Sequence, residues 1–182
     1  MNNRIYILSL LMLAPILLLS QGLQSVGDVA YFENSIIHST RNSTDHTTLS
    51  EAVIAAELDA VLDSDGPFTI FAPSDQAFEK LSKEKIKDLM LPQNKSKLQS
   101  LLTYHMIAGY LSASKILKEM CRGEGVATFR TVQGNVLTAT MDGIDIVLSD
   151  SFGNKAKITN ADSNQCNGVI HVIDSVVLPK KI

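Results

Sequence analysis

The spacings that usually mark metal and nucleotide chemistry are missing from this chain. There is no CxxC pair and no HExxH, and the 4 histidines, His38, His46, His105 and His171, are scattered. Zinc-type ligation therefore has no sequence support. No GxSxG elbow, P-loop or GxGxxG occurs; Gly123-Glu124-Gly125 and Gly134-Asn135 read as turns rather than phosphate cradles. Cysteine is scarce, at 2 residues, which allows one intramolecular bridge and excludes a disulfide-dense scaffold. No run of five like charges appears and the net charge is −3, so electrostatic capture of nucleic acid or of an anionic membrane is not expected. What is present is globular composition, 45% hydrophobic and 19% charged. That length and content predict one domain with its own core.

The N-terminus has the anatomy of a secretory leader. Arg4 supplies a positive start, Ile5 to Leu19 is an apolar run broken mildly by Ser9 and Pro15, and Ser20-Gln21-Gly22 offers small residues for cleavage. The run is shorter than the roughly 20 apolar residues that a membrane span needs. Residues 1–22 are thus expected to be a signal peptide and 23–33 a lead-in. A lipoprotein anchor would need a cysteine just after the apolar run, and the first is Cys121. Removing the leader takes one basic residue and leaves 15 Lys+Arg against 19 Asp+Glu, a charge of −4. About 160 residues then remain, enough to bury roughly 70% of the unfolded surface without metal or bridge. No membrane insertion is expected of the mature chain. In an oxidising compartment Cys121 and Cys166 become a candidate disulfide; it would close a loop of about 46 residues and contribute on the order of 4 kcal/mol in the chain-entropy model. Two unpaired thiols are the alternative.

Along the chain the hydrophobic period changes. A short apolar patch, Ile36-Ile37, suggests one helix in a polar lead-in. Thr48-Leu49-Ser50-Glu51 reads as a capping box, followed by Leu49, Val53, Ala56, Leu58, Val61 and Leu62 at helical spacing. Asp65-Gly66-Pro67 ends that stretch, and Phe68 to Ala72 is a strand stopped by Pro73. Ser74 or Asp75 can cap the next helix, which carries Phe78 and Leu81. Helical spacing recurs over Lys83 to Leu91, Asn94 to Thr103, and from Ser112 or Ser114 to Met120, with a strand at Tyr104 to Ile107. From Val126 the runs become short and β-like, separated by Gln133-Gly134-Asn135, Asp142-Gly143 and Gly153-Asn154, each a hairpin signal. Gly168 to Leu178, rich in β-branched residues, should be a central strand. Helices first and hairpins second predict an α+β domain. Asn42-Ser43-Thr44 and Asn94-Lys95-Ser96 fit the glycosylation sequon, relevant only in a eukaryotic host.

Three segments, Gly66 to Phe78, Leu102 to Gly109, and Asn167 to Asp174 with Leu178-Pro179, together resemble the conserved blocks of the fasciclin domain family. Their order and spacing match one domain over about residues 34–180, so residues 34–182 are expected to form a fasciclin-like domain. The tail from Gln133 resembles bacterial secreted members. The resemblance implies a small wedge-shaped β core with helices packed over it. It also implies a secreted, periplasmic or cell-surface adhesion module of the beta-Ig-H3 type that binds an extracellular or cell-surface protein or glycan, without catalysis or cofactor. Some secreted fasciclin-type proteins bind carotenoids, so the resemblance permits a carrier of an apolar small molecule, with Met90, Met106, Met120 and Met141 as pocket candidates.

Tyr104 and His105 match the family's tyrosine–histidine motif, tied in animal members to integrin binding, and are candidate partner contacts. Flanking Leu101, Leu102 and Ile107 fit equally a half-buried structural pair. The family's Asp-Ile motif aligns with Asp162-Ser163, where the apolar half is missing; Asp162 is carried as a third candidate, and Asp145-Ile146 does not match by position. Phe71, Pro73, Asp75, Phe78, Gly168, His171 and Asp174 occupy structural positions of the family. By alternation His171 shares a strand face with Val169 and Ile173 and reads as a core histidine, with Asp174 on the opposite face.

Overall fold

The computed structural model describes residues 35–64 and 66–180. The expected leader, residues 1–22, and the lead-in, residues 23–33, fall outside the described residues. Helices α1 (Ile36–Arg41), α2 (Thr47–Ala55) and α3 (Asp59–Ser64) come first, then strand β1 (Phe68–Pro73). Helices α4 (Asp75–Glu79), α5 (Lys83–Leu89) and α6 (Lys95–Tyr104) lead to the short strand β2 (Met106–Ala108), and α7 (Ala113–Arg122) follows. The rest is strands β3 (Val126–Arg130), β4 (Val136–Asp142), β5 (Asp145–Ser149), β6 (Lys155–Gln165) and β7 (Gly168–Ile173). This is the expected α+β division, a helical half and a hairpin half.

Seven strands form one sheet in the order β2-β1-β7-β6-β5-β4-β3. The β3–β6 part is an antiparallel meander in which alternate residues face inward: Leu137, Ala139, Ile146, Leu148, Ala156 and Ile158 line one core. β7 is central, as its composition predicts, with β6 antiparallel on one side and β1 parallel on the other. A parallel pair covered on both faces reads as a continuous apolar run, which explains Val169-Ile170 and Phe71-Ala72. Alternation along β1 sends Ile70 and Ala72 to a core beneath the helices and Phe71 to the core inside the curled sheet. Beyond β3 the chain meets β2: the Val132 amide donates to Met106 O at 2.8 Å and the Gln133 amide to Thr103 O at 3.1 Å, nearly closing the sheet into a barrel. Gly168 is required where β1 and β7 meet. Its φ is +154°, and a Cβ there would lie 1.9 Å from Phe68 O.

Several local expectations change. Helix α2 takes no cap from the proposed box; Asp75 caps it from another element. Leu49 to Leu62 is two helices rather than one, broken where Glu57 adopts φ +53°. Tyr104 closes helix α6 instead of opening a strand, because the Tyr104 ring is drawn into the inner core. β7 stops at Ile173 rather than Leu178, because side chains take the amides beyond it: Val177 N donates to His105 and Leu178 N to Asp150. The candidate disulfide is not formed. Cys121, in the last turn of α7, and Cys166, in the β6–β7 turn, are both exposed thiols on separate elements.

Candidate functional site

Tyr104 and His105 are interior residues, not surface contacts. Tyr104 is 0% exposed and its hydroxyl donates to Val136 O at 3.0 Å, fastening helix α6 to β4. Burial, with Asp150 adding to it, raises its pKa to about 12. His105 is 3% exposed. A carbonyl only accepts, so the 2.9 Å contact with Leu101 O places the ring proton on Nδ1. Nε2 then accepts from Val177 N at 3.3 Å. Both nitrogens are committed to backbone groups of a neutral ring, and desolvation pushes the pKa down to about 4.

His171 repeats this arrangement with the opposite tautomer. Its Nε2 donates to Leu111 O at 2.8 Å, and Nδ1 accepts from Asp162 N at 3.2 Å. The ring stacks on Phe71 at 5.6 Å, and burial lowers its pKa. Asp162 is exposed on the irregular stretch of β6, with φ +59°. Its Oδ1 accepts from Ala113 N at 2.8 Å, covering the start of helix α7. Of the three proposed contacts, only Asp162 reaches the surface.

The carboxyl ends of β1 and β7 open into a polar cleft of ≈ 550 Å³. Its walls include Asp45, His46, Asp75, Lys80, Asn160 and Asp174. Ser74 caps helix α4 through Ala77 N, while Asp75 reaches back to helix α2. There it accepts from Thr47 N, Thr47 Oγ1 and Thr48 N at 3.1, 2.7 and 2.8 Å. Partial burial pulls the Asp75 carboxyl up, but these hydrogen bonds outweigh it and hold the pKa below the usual value. Asp174 has the same balance: burial raises it, while Lys157 N and the Lys80 ammonium, at 2.8 and 3.3 Å, bring it down. Both carboxylates are therefore ionised acceptors and poor proton donors at neutral pH. Among the described residues no group of three or more His, Cys, Asp or Glu is placed to hold a metal ion.

The fasciclin domain model matches residues 44–179, three quarters of the chain. The chain belongs to the fasciclin family. Among relatives of this fasciclin-domain chain, protein sll1483 of Synechocystis is 37% identical over 147 residues, covering 80% of this chain and 73% of the relative. The immunogenic protein MPB70 of Mycobacterium bovis is 32% identical over 148 residues, covering 76% and 65%. Human periostin is 32% identical over 137 residues, covering 74% of this chain and 15% of periostin. A solved FAS1 domain pair from the insect cell adhesion molecule fasciclin I superposes with a TM-score of 0.71 at 17% identity, covering 81% of this chain and 51% of that one.

Within the fasciclin fold the block residues sort by structural task. Phe71 and Phe78 fill the two cores, the Pro73 carbonyl receives His46 Nδ1 at 3.1 Å, and Gly168 lets β1 approach β7. Three side chains that sequence reasoning passed over do comparable work. Asn167 takes Ile36 N at 2.9 Å and gives to Leu62 O at 2.6 Å, docking two helices onto the β6–β7 turn. Thr69 Oγ1 gives to Gly109 O at 2.7 Å and takes Leu111 N at 2.9 Å. Asp150 gathers the amides of Phe152, Asn154 and Leu178, each at 2.9 Å. An aspartate two residues before Phe152 and four before Asn154 is an Asx-turn signal that could have flagged the first two. No local signal exists for the third.

Proposed function

We propose that this fasciclin-family chain is an exported, non-catalytic binding module that recognises an extracellular or cell-surface protein or glycan. One observation carries the reading. The histidines of the family blocks, His105 and His171, have both ring nitrogens spent on backbone groups, so neither is available as an acid, a base or a ligand. Recognition then falls to the exterior. The name of the solved relative, a cell adhesion molecule, supports the same direction. Residues 1–22 act as the leader, 23–33 as the lead-in and 34–182 as the domain. The mature chain works in the periplasm, in the extracellular space or at the cell surface; no described helix is long and apolar enough to cross a membrane.

The carrier reading gains nothing from the helical core, where the void among Leu49, Leu62, Ile70, Met106 and their neighbours holds ≈ 20 Å³, the scale of one water. The four methionines do not converge: Met106 and Met120 lie in different cores and Met141 is exposed. The test is a binding assay of the chain, as its host processes it, against host cells, matrix proteins and cell-surface glycans. Saturable binding is expected. Its complete absence, or an activity lost on substituting His105 or His171 in a folded protein, would sink the reading.

A further inference from the structure

The cleft at the ends of β1 and β7 has features that its supporting role does not use. Three carboxylates line it, Asp45, Asp75 and Asp174, against one ammonium, Lys80. Lys80 is drawn to one end by Asp174 and Ser175, at 3.3 and 3.0 Å, which leaves the end around Asp45 and Asp75 acidic. Among the described residues the exposed Asp45 carboxylate meets only the Thr44 hydroxyl at 3.5 Å, at the limit of a hydrogen bond. An independent feature is His46, a residue 8% exposed on the cleft wall. Its contact with Pro73 O puts a proton on Nδ1, so in the neutral ring Nε2 is an acceptor. No described residue donates to Nε2. Among the described residues no fully enclosed side-chain nitrogen or oxygen lacks a partner, so Nε2 keeps some access to solvent, and His46 lines the cleft.

An acidic recess whose free positions accept hydrogen bonds is complementary to a group that is positive and only donates. We infer that this cleft receives the guanidinium or ammonium of an arginine or lysine side chain from a partner protein. The inference rests on the binding-module reading and narrows it to a protein partner. The five N–H groups of a guanidinium suffice for His46 Nε2, Asp45 and the remaining lone pairs of Asp75. A neutral sugar leaves the carboxylate charge uncompensated, and an acidic one is repelled.

The test titrates the isotopically labelled chain, as its host processes it, with blocked tripeptides carrying arginine, lysine, citrulline or glutamate, following the His46 Nε2 resonance. A saturable shift is expected with arginine and lysine and none with citrulline or glutamate. Asp45→Asn should weaken binding about threefold and Lys80→Gln tighten it about as much, the scale of an exposed ion pair. Both positions are exposed, and unchanged resonances elsewhere confirm the fold. Absence of a shift with either basic peptide, an equal response to citrulline, or the same His46 shift with a neutral oligosaccharide would overturn the assignment. Saturable binding to cell surfaces that neither substitution alters would remove the cleft and leave the binding module standing. A basic-peptide shift without any surface binding would keep the cleft and remove the module's proposed role.

Discussion

In the β3–β6 meander each strand bonds to the next one along the chain. Around β1 and β7, beside the ladder that pairs these two distant strands, single side chains join remote segments: His171 to Leu111 across 60 positions, His105 to Val177 across 72, and Asn167 to Ile36 across 131. Ladder bonds are many and each is worth about 1 kcal/mol net. A bracket is one bond that closes a long loop, and losing it strands a buried partner at a cost of about 1–3 kcal/mol. Damage should therefore stay local in the meander and spread from the brackets.

The sharpest way to break that contrast is Tyr104→Ala, which empties a fully buried site and removes the hydroxyl that bonds Val136 O. A loss of about 3–5 kcal/mol is expected in urea unfolding; a loss under 1 would mean that the inner core does not depend on helix α6. Acid comes next. His105 has a folded pKa of about 4 against an ordinary value of 6.5, so the unfolded chain binds more protons between these limits. The stability it provides is complete above pH 6.5 and lost as pH falls through 4, about 3 kcal/mol in all. Stability measured across that window should fall in the parent and stay flatter in His105→Gln, whose amide can still donate and accept. Asp75→Ala should cost about 1–2 kcal/mol at pH 7 through the lost cap on α2. Because the Asp75 carboxyl titrates below its ordinary 3.8, that difference should vanish as pH drops past this value.

On the meander side, Ile144 is 93% exposed at the β4–β5 turn, and Ile144→Thr should change stability by no more than about 0.5 kcal/mol. The smallest effect is none at all: reductant should leave the melting temperature unchanged, with both thiols titrating in the untreated protein. A drop of several degrees would show that Cys121 and Cys166 are bridged after all.

The same contrast decides what could be read in advance. Hairpin turns are written in adjacent residues, and Gly134, Gly143 and Gly153 all take the positive φ that their turns require. Serine caps at Ser74, Ser82 and Ser112 are equally local. The α+β division follows from the change of hydrophobic period. The brackets have no such signature. That Asp75 would cap a helix 27 positions upstream, or that β7 would end where His105 and Asp150 take its amides, depends on which segments meet after folding. The cleft was invisible for the same reason, since Asp45 and His46, Asp75, and Asp174 come from three parts of the chain. The family blocks pointed to Tyr104 and His105 as candidate partner contacts and to His171 as a core residue; all three lie in the interior.

The meeting of Val132 with Met106 bears on how copies of this chain behave together. Where Val132 and Gln133 bond across to the opposite rim, their amides are already taken, and that corner of the sheet gives a neighbouring strand nothing to pair with.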